Sequence, residues 1–141
     1  MMKVLEPCEA MLSNYEVLTH IQEVKQRYRD QVAEQGPAAA MKPGNLETVM
    51  KEIIDYLSTT AATAQTPDAT TKLVEELAKL PLQFEKIEVL MMLNHLPKNE
   101  TELDVLIEEL ESRLSEEQIS EVLNIIQSTA RSKTSSSASE V

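Results

Sequence analysis

From Val17 onward apolar side chains recur every three or four residues: Val17, Ile21, Val24, Tyr28 and Val32, with Leu18 on the flank. That period places them on one face of a helix. Ser13 and Glu16 have the spacing of a capping box, and Leu12 and Val17 stand at staple positions, so the helix is expected to start at Ser13. Gly36 and Pro37 end it, and residues 36–44 read as a connector. Residues 1–12 carry Val4, Leu5, Cys8, Ala10 and Leu12, spaced partly by two, together with Pro7. They predict an extended arm, which has too little chain to bury its own apolar groups.

A second helix is expected to carry Leu46, Val49, Met50, Ile53, Ile54 and Leu57 on one face, with Asn45 as its N-cap. Residues 59–65 show no apolar period and read as a flexible joint. Thr66 and Pro67 open a third helix through Leu73, Val74, Leu77 and Leu80, which Pro81 stops. From Gln83 the sequence predicts a fourth, with Phe84, Ile87, Leu90, Met91 and Leu93 on one face. Val89 and Met92 make it apolar nearly all round, so it is expected to lie centrally, and Asn94 and Pro97 close it. Asn99 with Glu102 starts a fifth helix, whose stripe is Leu103, Leu106, Ile107, Leu110 and Leu114. Ser115 with Gln118 starts a sixth through Val122, Leu123 and Ile126, with Leu114 and Ile119 as staple residues. Beyond Gln127 the period is lost in a serine-rich tail too polar to join a core, which is expected to be disordered.

These elements make an all-α chain: an arm, helix and connector over residues 1–44, a five-helix bundle over 45–128 and a tail over 129–141. Two glycines and four aromatic residues among 141 leave little material for hairpins or barrels. The net charge of −11 repels phosphate, so nucleic acid is expected to be reached only through a basic partner. A lone Cys8 excludes an internal disulfide and a multi-cysteine metal site, and it suits a reducing compartment. Neither a membrane-spanning run nor a signal peptide is evident, so a soluble, intracellular protein is expected.

Chemistry is sparse. His20 and His95 stand apart, with no partner at metal spacing, and read as surface or capping residues. Both glycines flank prolines in the connector, so there is no phosphate loop and no nucleotide or other cofactor is expected. Between Glu100 and Glu121 nine acidic residues face one base, Arg113. Glu108, Glu109 and Glu111 are expected on the solvent side of the fifth helix, and the spacing of a calcium loop is missing. The functional alternative for this block is docking of a basic partner, through steering and register more than affinity. Met91 and Met92 read as core filling, and the serine tail as a plain solvated terminus.

The order of several short motifs carries a resemblance. Met2-Lys3-Val4-Leu5-Glu6 is followed by Leu12-Ser13-Asn14-Tyr15-Glu16-Val17-Leu18, then by Leu93-Asn94-His95-Leu96-Pro97 and by Glu111-Ser112-Arg113-Leu114-Ser115-Glu116-Glu117-Gln118-Ile119. Over residues 2–127 the chain resembles the small stalk subunits of RNA polymerases, that of RNA polymerase III above all. It departs at Leu96 and Val89, where those proteins often carry an arginine and a basic residue.

The resemblance implies an HRDC-like fold for the five-helix unit and a non-catalytic role in the nucleus. The partners it implies are the larger stalk subunit with its oligonucleotide-binding barrel, the polymerase III core and a TFIIIB-type initiation factor. Val4, Leu5, Tyr15, Val17, Leu18, Ile21 and Val24 are the expected contacts to the larger subunit, and Glu108, Glu109 and Glu117 those to the factor. Two other classes stay open: a signalling adaptor of the peptide-receptor-component type, separable by membrane-proximal location, and a helicase-type HRDC nucleic-acid module, separable by salt-sensitive binding of single strands.

Overall fold

The computed structural model describes residues 3–39 and 43–131, and every regular element among them is helical. Residues 3–12 run as an irregular arm. The α-helices are α1 (Asn14–Gln35), α2 (Gly44–Leu57), α3 (Pro67–Lys79), α4 (Lys86–His95), α5 (Glu100–Leu106), α6 (Leu110–Arg113) and α7 (Glu116–Arg131). Short 3-10 turns follow α1 (Pro37–Ala39) and α2 (Ala61–Ala64). No helix among the described residues is long and apolar enough to cross a membrane.

The expected cap chemistry operates at four helix starts. Ser13 Oγ accepts from the Glu16 N–H at 3.2 Å while the Glu16 carboxylate takes the Ser13 N–H at 2.7 Å, a reciprocal box worth about 1 kcal/mol. Thr66 caps α3 with Pro67 in its first turn, and Ser115 and Gln118 exchange the same pair of bonds ahead of α7. Asn99 caps α5, but Glu102 reaches past it to the Lys98 N–H at 2.8 Å. At the end of α1, Gly36 stands at φ +87°, a conformation open to glycine at no steric cost.

Two clusters hold the chain together. The larger joins Leu73 and Leu77 of α3, Met92 and Leu93 of α4, Leu103 of α5, Ile107, Leu110, Leu114, and Ile119, Val122 and Ile126 of α7. At about 1.5–3 kcal/mol for each fully buried side chain, this is the main source of stability. The smaller joins Leu18 of α1, Leu57 of α2 and Ala62, with Tyr15, Val17, Ile53 and Ile54 packed against it. α2 therefore buries its face against α1 as an antiparallel pair, and the Asn14 N–H ties that pair to α4 by donating to Asn94 Oδ1 at 2.8 Å.

The structure corrects several expectations. Asn45 is not the cap of α2: the helix begins at Gly44, and Pro43 holds the N-cap position, its carbonyl accepting from the Leu46 N–H at 3.0 Å. The flexible joint at 59–65 is an ordered turn, because small Ala62 seats against Leu18 and Leu57 and Gln65 Nε2 donates to the Leu93 carbonyl. α4 starts three residues later than expected. Leu80, Leu82 and Phe84 alternate inward against the core while Pro81, Gln83 and Glu85 face out, the period of an extended strap.

The expected fifth helix is two. Ile107 is extended and Glu109 is left-handed at φ +53°, so α5 and α6 are separated by a bend at 107–109, and Glu108 and Glu109 lie on that bend. α7 runs on to Arg131 with Thr129 buried, its hydroxyl donating back toward the Ile125 or Ile126 carbonyl, so the tail does not begin at 129. The rest of the expected tail, residues 132–141, lies outside the described residues, as do residues 1–2 and 40–42.

A side chain in the left-handed region costs about 1–2 kcal/mol relative to glycine. Glu109→Gly is accordingly expected to leave the fold intact and to raise the unfolding free energy by about 0.5–1 kcal/mol, part of the relief being lost to a more flexible unfolded chain. Chemical denaturation measures it, and a lowered midpoint would contradict the strained bend.

Candidate interaction surfaces

The first surface is the arm and the α1 face. Val4 and Leu5 are 74 % and 87 % exposed, and Met11 and Leu12 are more than half so. Residues 8–11 lie along α4, where Cys8 to Met11 with Lys86, Val89, Leu90 and Leu93 frame an open groove of about 500 Å³. Of the α1 residues expected at an interface, Tyr15, Val17, Ile21 and Val24 are half-buried. Leu18, taken as the flank of the stripe, is instead the residue that the chain buries itself, at 5 % exposure against Leu57. α1 is 22 residues long, and its apolar stripe is covered by α2 and the adjoining turns only in part.

The second surface is acidic. Glu108 and Glu109 are exposed on the bend, and Glu117 is exposed in the first turn of α7. The nine carboxylates of residues 100–121 are all exposed, distributed over α5, the bend, α6 and the first part of α7.

Between them sits an ion pair that periodicity did not reveal. Glu88, on the first turn of α4, is 8 % exposed, and the Arg113 guanidinium grips it through both nitrogens, with Nη2 at 3.0 Å from Oε2. The same guanidinium donates to the Gln83 carbonyl at 3.1 Å and the Glu108 carbonyl at 3.3 Å. One side chain thus fastens the strap, α4 and the bend. The Arg113 hydrogen bond holds the Glu88 carboxyl below its ordinary range, outweighing the opposing effect of burial, and the Glu85 N–H adds to it. Arg113 is held above its ordinary range, first by the same hydrogen bond. Two sequence signals pointed here: Glu88 is an acid inside an apolar helix, and Arg113 is the sole base in the acidic run.

His20 and His95 are both exposed, apart from each other, and among the described residues there is no group of three metal-ligating side chains. The arrangement offers contact surfaces: apolar at the arm and anionic at the bend.

Residues 11–130 match the family described as RNA polymerase Rpb4. The chain is also 34 % identical over 130 residues to the DNA-directed RNA polymerase III subunit rpc9 of Schizosaccharomyces pombe, an alignment that spans 91 % of this chain and 98 % of that protein.

Proposed function

The chain belongs to the RNA polymerase Rpb4 family, and from that premise we propose that it is a non-catalytic subunit of DNA-directed RNA polymerase III, working in the nucleus. In this reading it forms the stalk heterodimer with the larger, OB-fold stalk subunit. Through that dimer it joins the polymerase core and assists initiation at genes for small non-coding RNAs such as tRNA and 5S rRNA. Residues 1–44 serve as the tip-associated arm and 45–128 as an HRDC-like unit that meets a TFIIIB-type initiation factor.

The observation that carries the reading is the unsheltered apolar surface at the front of the chain. Val4 and Leu5 stand in solvent, and the Val17, Ile21, Val24 face of α1 is only half covered. Apolar side chains left exposed in this way suit a protein interface. Nucleic acid fits the chain as a whole poorly, since its net charge of −11 opposes phosphate.

Deleting residues 1–34 is expected to abolish co-purification with the larger stalk subunit. Because that deletion also strips Leu18 from the α2 cluster, the double variant Val4→Asp with Leu5→Asp separates contact from folding: it leaves both clusters intact and is expected to weaken pairing at least about tenfold. Undiminished pairing in both defeats the assignment of the arm. For the acidic surface, reversal of Glu108, Glu109 and Glu117 to lysine is expected to reduce recruitment of the initiation factor with the helical content unchanged. Normal recruitment removes that part of the reading.

A further inference from the structure

We infer that the groove between the first turn of α4 and the bend at 107–109 receives a short peptide segment in which aliphatic side chains are flanked by lysine or arginine. The inference rests on the reading of the acidic surface as a contact site and specifies what that surface holds.

The groove encloses about 470 Å³. That lies within the range of roughly 300–1,000 Å³ typical of pockets that hold small ligands, enough for a few side chains of a peptide. Ile87 and Leu106 supply its aliphatic walls, and Glu85, Glu108 and Glu109 its rim, with the Glu88–Arg113 pair at its base. Ile87 is 43 % exposed although it belongs to α4, which buries Met92 and Leu93 in the core. Ile87 and Leu106 line this depression together with the acidic residues of the bend.

Charge decides the occupant. Arg113 is the sole cation among the lining residues, and its guanidinium is committed to Glu88 and to the carbonyls of Gln83 and Glu108. The lining therefore keeps a net excess of three negative charges. An anionic ligand, nucleic acid included, is repelled, and a neutral apolar helix would strand the rim carboxylates against its own surface. A segment with two adjacent aliphatic residues and basic residues on either side satisfies both features: the aliphatics cover Ile87 and Leu106, and the cations meet Glu85, Glu108 and Glu109. The apolar contact then supplies the grip, and the rim supplies steering and salt dependence.

The test uses the full 141-residue chain and a labelled dodecapeptide with the central sequence Lys-Arg-Leu-Ile-Arg-Lys, read by fluorescence anisotropy and by amide NMR shifts. Binding is expected to weaken about tenfold when the Leu-Ile pair becomes Ser-Ser, and about fivefold for the chain variant Ile87→Ser. Glu109→Lys is expected to weaken binding and to flatten its dependence on salt. The amide shifts are expected to centre on residues 85–88 and 105–110. The inference is overturned if the peptide does not bind, if the Ser-Ser peptide binds equally well, or if the shifts centre elsewhere. An Ile87→Ser chain that binds normally while Glu108→Lys with Glu109→Lys abolishes binding refutes the groove and leaves a purely electrostatic acidic contact standing. Peptide binding as described, with normal factor recruitment by the charge-reversed chain, refutes the factor contact alone.

Discussion

Arg113→Ala is expected to lower the midpoint of urea unfolding, by more than the substitution of an ordinary surface arginine. The variant strips the cation from the Glu88 carboxylate, which is 8 % exposed in the native chain, and it removes the donors to the Gln83 and Glu108 carbonyls at the same time. Loss of one partner from a fully buried pair costs about 3–5 kcal/mol, and the Arg113 side chain is 32 % exposed, so solvent relieves part of that cost. Glu88→Gln is expected to be milder, about 1–2 kcal/mol, because an amide oxygen still accepts from the guanidinium.

Acid separates this pair from the rest of the fold. The Glu88 carboxyl titrates below its ordinary value of 4.5 in the folded chain. A group whose folded value is depressed contributes stability that is full above the unfolded value and fades as pH falls through the folded one. The stability gap between the native chain and Arg113→Ala is therefore expected to be widest near neutral pH and to narrow as pH drops below 4.5. Urea unfolding at a series of pH values measures it. A gap that is constant down to strongly acid pH would mean that Arg113 acts through its aliphatic stem and not through Glu88.

Leu103→Ala is expected to cost about 3–5 kcal/mol, the range for a leucine cut back in a core that cannot collapse around the gap. Leu103 is fully buried where α5 meets α4 and α7, so its loss is felt through the larger cluster. Set against a total stability of about 5–15 kcal/mol for a domain, that is a large fraction, and a fall in the urea midpoint reports it. Leu57→Ala removes a similar volume from the smaller cluster and has a different reach. Hydrogen exchange is expected to rise in α1 and α2 while α4, α5 and α7 stay protected, since few buried contacts join the two clusters. Equal loss of protection throughout would show that the clusters melt as one unit.

Much of this architecture was legible because local chemistry and packing agree. The boxes at Ser13 and Ser115 and the Thr66-Pro67 start depend only on residues within one helical turn, and each forms as its spacing predicts. The bend at 107–109 could not be read that way. Leu103, Ile107, Leu110 and Leu114 keep a helical period across it, and all four are buried. What breaks the helix comes from elsewhere in the chain: Arg113, drawn to Glu88 on α4, takes the Glu108 carbonyl, and the Ser112 N–H bonds to Glu109 instead. Like charges at Asp104 and Glu108, four residues apart, add a few tenths of a kcal/mol against the continuous form.

The strap shows the converse, since its period of two at Leu80, Leu82 and Phe84 was present but merged into the helical stripe that follows. On the interaction surfaces, the exposed arm residues were readable as apolar groups without an internal partner. The burial of Leu18 was not, because it depends on Ala62, a residue in a stretch with no apolar period.

The bond from the Asn14 N–H to Asn94 gives the front of the chain a mechanical character. α1 extends about 33 Å from that point, at about 1.5 Å per residue, and α2 lies alongside as a brace. A pivot of about 10° at the anchored end sweeps the Gln35 end through about 6 Å. Any tilt of the α1–α2 pair about the end of α4 would therefore be magnified toward Gln35.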